Sequence, residues 1–77
     1  MKAKDLRLGD VVFTDEGKFK SAWKVIVEDE KFPKAAHVDQ GFTISLRTSH
    51  FTKGEIVSVF RDGFPIYTVL PPQPPSP

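Results

Sequence analysis

Apolar and polar residues alternate with a period of two along most of this chain, in short runs. Asp10 to Thr14 (DVVFT) is a β-branched and aromatic run opened by Gly9. Ala22 to Glu28 (AWKVIVE) places Trp23, Val25 and Val27 on one face and Lys24, Ile26 and Glu28 on the other. Phe42 to Arg47 (FTISLR) sets Phe42, Ile44 and Leu46 against Thr43, Ser45 and Arg47. Glu55 to Arg61 (EIVSVFR) and Pro65 to Leu70 (PIYTVL) complete the series. Alternation of this kind marks half-buried strands. Five such strands with turn residues between them have the rhythm of a small antiparallel barrel or sandwich, so the expected fold is all-β.

Helix is poorly supported. The helix formers of VEDEKFPKAAHV surround Pro33, which would cost ~3 kcal/mol in a helix interior. Asp29 to Gln40 therefore reads as a long loop with one helical turn at Pro33 to Ala36. RTSHFTKG reads as a loop or short 3₁₀ turn ending at Gly54. Asp62-Gly63 predicts a two-residue type I′ hairpin. That register sets Val59 against Ile66 and Val57 against Thr68, and puts Ile56, Phe60, Tyr67 and Val69 on the opposite face. Both faces are then apolar, which points to a bent sheet corner, a partner surface or a homodimer interface. The domain should span residues 1–70. Residues 71–77 (PPQPPSP) hold five of the seven prolines and should form a disordered, extended tail.

Composition narrows the chemistry. A chain of 77 residues makes one small domain, which buries only ~60% of its unfolded surface and so has a thin stability margin. With no cysteine, neither disulfides nor cysteine-ligated metals can reinforce it. His37 and His50 stand 13 positions apart without ligand spacing around them; neither a metal nor a cofactor is expected. A net charge of +1 gives no overall basic field, so any nucleic-acid binding must come from a local patch. No apolar run approaches the ~20 residues of a membrane helix, and MKAKDLRLGD has no apolar signal core. A soluble, cytoplasmic protein without membrane contact is the expectation.

The opening LRLGDVV resembles the first strand of SH3-like small β-barrels, where a Gly-Asp step leads into the barrel. The strand plan of the whole domain agrees with this resemblance, which implies a five-stranded antiparallel barrel. GDVVFTDEG, WKVIV and ISLRTS are in addition similar to the PemK/MazF endoribonuclease toxins. That similarity implies roles for Thr48 and Ser49 after the third strand. The family's Arg-Pro step is absent, with Ser21, Ala22 and Trp23 in its place, and so is its final helix.

Candidate residues fall into three groups. Arg47, Thr48, Ser49 and His50 form the densest polar run, but neighbours on one loop rarely converge, and a solvated turn is the reading preferred. Lys18, Phe19, Lys20 and Lys24, with Arg47 and Arg61, interleave cations and rings in the manner of single-strand nucleic-acid binders. In that group Trp23 faces with Val25 and Val27 and belongs to the core. Phe60, Tyr67, Phe32 and Phe51 are the aromatics available as anchors for a protein partner. The sequence thus favours a non-enzymatic binding module, with no catalytic residues. It would be a small accessory or inhibitor protein of the phage or plasmid type, docking on a larger protein complex. The alternatives are a nucleic-acid-binding barrel and an endoribonuclease.

Overall fold

A 3₁₀ turn at Ala3–Asp5 leads into β1 (Val11–Asp15) and β2 (Lys20–Val27). There follow β3 (Lys34–His37), β4 (Thr43–Ser45), one turn of helix α1 (Thr48–Thr52), β5 (Ile56–Arg61) and β6 (Phe64–Thr68). In this computed structural model, which describes residues 1–69, the six strands form one antiparallel sheet in the order β4-β3-β2-β1-β5-β6. The sheet does not close, and β4 and β6 are its edges. Leu70 and the proline-rich stretch read as a disordered tail lie outside the described residues.

One face of the sheet carries the core. Val12 pairs with Trp23 and with Val59, and Val25 pairs with Ala35, so these inward residues meet across four adjacent strands. Leu6, Leu46, Phe51 and Ile56 complete the cluster, with Met1, Ile44 and Tyr67 packed at its margin. Burying each large aliphatic chain stabilises the fold by about 1.5–3 kcal/mol. Leu6 is supplied by the segment after the 3₁₀ turn and Phe51 by α1. The Ala3 N–H, donating to Thr48 Oγ1 at 3.0 Å, ties these two covering pieces together.

Three irregularities bend the ladders and decide which residues face inward. Against β1 the pairing jumps from Phe13↔Ser58 to Thr14↔Ile56, leaving Val57 as an extra residue. Ile56 and Val59 are therefore both buried although three positions apart. On β2 the extra residue is Ile26, and Val27 turns out of the core face that alternation assigned to it. On β6 it is Ile66. Asp62 and Gly63 do adopt the two positive φ angles of a type I′ turn, 53° and 82°. Beyond Phe60↔Pro65, however, the register shifts and Val59 meets Tyr67 rather than Ile66. An extra residue exchanges the two faces of a strand.

Two further expectations change. The segment read as a long loop with a helical turn contains β3, so the sheet has six strands where five were expected. KAAH has little β propensity of its own, but β2 and β4 recruit it from either side. The Pro33 carbonyl begins this ladder, accepting the Leu46 N–H at 2.7 Å. RTSHFTKG, read as a loop or short 3₁₀ turn, holds one turn of α-helix, α1, and Gly54 (φ 79°) ends it as expected. The N–H groups of Gly54 and Glu55 return to the carbonyls of Phe51 and His50, a glycine-terminated cap that also aims the chain into β5.

Candidate binding surface on the outer sheet face

With Val12, Trp23, Val25 and Val59 turned inward, their neighbours must project from the other side. Across the middle of the sheet this puts Thr43, Ala36, Lys24, Val11, Phe60 and Pro65 in one row. The next row holds Ala22, Phe13, Ser58 and Thr68, and beyond it Lys20 lies opposite Asp15. Lys34 projects from the same face, two residues before Ala36. Phe13 and Phe60, diagonal neighbours on β1 and β5, meet edge to face with ring centroids 5.4 Å apart. An aromatic pair with lysines beside it thus occupies the side of the sheet that no other element covers among the described residues.

A groove of about 510 Å³ lies on this face, floored by Phe13, Ala22, Val57 and Ser58 and rimmed by Lys20, Asp15 and Asp39. Its volume is in the range of sites that hold small molecules or single groups of a larger ligand. The bulge at Val57 helps shape the floor, because it turns that side chain away from the core. Asp15 is partly engaged, since its Oδ1 accepts the Gly17 N–H at 3.0 Å.

The structure disperses the residues singled out from sequence. Lys20 and Lys24 share the outer face, while Lys18 and the exposed Phe19 sit in the β1–β2 connection. Arg47 lies over the ring of Phe32, 5.3 Å from its centroid, at the start of α1. Arg61 is turned to Asp10, donating from Nε and Nη2 at 2.9 Å each. Those two arginines therefore do not join the lysines. Phe51 is a core residue stacked edge-on against Tyr67, so neither is a free surface anchor. Phe60 and Tyr67 occupy opposite faces rather than one, because the extra residue Ile66 rotates β6. Trp23 is in the core as expected, with Nε1 donating to Thr14 Oγ1 at 2.9 Å. Phe13 and Lys34 escaped the sequence reading. The signal for Phe13 was present in DVVFT, where Val11 and Phe13 alternate against Val12.

The polar run before β5 has local duties. His50 Nδ1 accepts the Arg47 N–H at 3.0 Å, and its Nε2 lies 3.7 Å from Glu55. Thr48 holds Ala3. The strongest electrostatic arrangement is Asp10, which is only 1% exposed. Burial alone would raise its pKa. The hydrogen bonds from Arg61 and from the Arg7 N–H, with the charges of both arginines, outweigh burial and hold it below its ordinary value. Arg61 is correspondingly raised, chiefly by its hydrogen bonds to Asp10. This pair joins the entry of β1 to the end of β5.

Among the described residues no helix is long and apolar enough to cross a membrane, and no cluster of side chains could hold a metal ion. Compared with protein-family models, with curated proteins and with solved structures, the chain matches none of them.

Proposed function

We propose that this chain is a non-catalytic binding module that docks on a larger macromolecule by the outer face of its sheet. The observation that carries this reading is the Phe13–Phe60 pair and its adjoining groove, both on the uncovered side. Apolar surface left together on one face is the usual mark of an interaction site. Of the polar residues in the run before β5, Thr48 and His50 are engaged in holding the N-terminal segment and the start of the helix, which supports binding over chemistry. The architecture is best read as a partly open SH3-like barrel with one added strand. Its supports are the β1 to β4 meander, the helical turn before β5, and the return of β5 beside β1.

A photo-crosslinking phenylalanine analogue tests the surface whatever the identity of the partner. Placed at position 13, it should capture a macromolecule in an extract of the producing cells. Placed at position 8, on exposed Leu8 outside this groove, it should not. Capture at position 8 alone sinks the proposal.

A further inference from the structure

Building on that surface reading, we infer that the outer face takes single-stranded nucleic acid. One base sits on Phe13 in the groove, and backbone phosphates run along Lys20, Lys24 and Lys34. Charge is the first argument. Among the described residues Arg7 pairs with Glu28 and Arg61 with Asp10, whereas none of these three lysines has an acidic partner within ion-pair distance. Lys20 and Lys24 are four residues apart on one strand, ~13 Å at the usual rise, and Lys34 lies farther along on the next strand, opposite Val27. That makes a track of positive charge rather than a point. Lysines without an ion-pair partner favour an anionic occupant along Lys20, Lys24 and Lys34, with Asp15 and Asp39 confined to the groove rim.

The groove decides between anions. An acidic peptide would use the lysines, but its carboxylates gain nothing from an aromatic floor. A nucleobase has a π face to lay on Phe13. Its edge can meet the hydroxyl of Ser58, which lines the same groove. Rings for bases and lysines for phosphates are how single strands are held with little sequence preference. Duplexes bury their base faces in stacking and offer only the phosphates.

The experiment is fluorescence anisotropy of the full chain with labelled oligothymidine and oligouridine about twelve nucleotides long. Three lysine–phosphate contacts on a single strand predict a roughly twenty-fold loss of affinity between about 50 and 200 mM salt. The combined substitution Lys20→Gln, Lys24→Gln and Lys34→Gln should flatten that dependence. Phe13→Ala should weaken binding about five-fold or more, and Phe13→Leu, which keeps the volume and loses the π face, serves if alanine perturbs the fold. A labelled polyglutamate of equal length should bind more weakly and ignore the Phe13 change. No binding of either oligonucleotide at about 50 mM salt overturns the inference. Polyglutamate bound as tightly as the oligonucleotides, with no effect of Phe13→Leu, overturns it as well. Crosslinking at position 13 separates the two levels: if it still captures a partner, only the nucleic-acid assignment falls.

Discussion

Asp10 is the one charged side chain buried among the described residues, and a small domain tolerates it only because three donors meet its two oxygens. Its lowered pKa fixes the sign of its pH dependence. In the native state the carboxyl binds a proton less readily than in the unfolded chain. Its stabilisation is therefore complete above the ordinary value of 3.8 and is lost as pH falls through the lower native value. Denaturant unfolding followed below about pH 4 should show stability falling with acid. Asp10→Asn should be less stable near neutrality by about 2 kcal/mol and show a shallower acid slope. An unchanged slope would remove Asp10 from that role. The sequence displayed Asp10 within a Gly-Asp step but could not show its partner, 51 positions away. Arg61 read as a free cation for the same reason, since ion pairing is decided by distance in space.

Hairpin and helix ends are where local chemistry speaks most directly. Gly63 sits at φ 82°, in the left-handed region, with open space where a Cβ would go. The cost of Gly63→Ala is therefore conformational alone, about 1 kcal/mol, and should lower the melting temperature by about 4–8 °C. Asp62→Asn should leave the melting temperature nearly unchanged, because Asn accepts the same backbone region. A melting temperature unmoved by Gly63→Ala would mean that this turn does not hold its two positive angles. The turn was legible because Asp-Gly favours it whatever the surroundings. The register beyond it was not, since the extra residue Ile66 is set by how β6 fits β5 and the core. β3 was illegible for the opposite reason. Lys34, Ala35, Ala36 and His37 carry no strong preference, and their strand exists through neighbours on both sides.

At the scale of the whole molecule, the question is which apolar face is core and which is surface, and two aromatics answer it. Tyr67→Ala removes a ring packed on Phe51 at the margin of the core and should cost about 2–3 kcal/mol in thermal or denaturant unfolding. Phe60→Ala removes a ring whose aromatic partner, Phe13, lies on the uncovered face, so it should cost about 1 kcal/mol. Equal losses would mean that the two faces are not distinguished as described. The candidate surface follows the same logic: Lys20 and Lys24 could be read from the alternation of β2, but Phe13 and Lys34 joined them only through strand pairing. By itself the sequence determined an all-β chain, the positions of most strands, the tight turn and the inward face of Trp23. Each of these rests on side-chain period or local backbone preference, which act within a few residues. The tertiary structure alone decided the sixth strand, the three register shifts, the burial of Phe51 and the Asp10–Arg61 pair. Those depend on which distant segments lie side by side, and a single residue of slip exchanges the core for the surface.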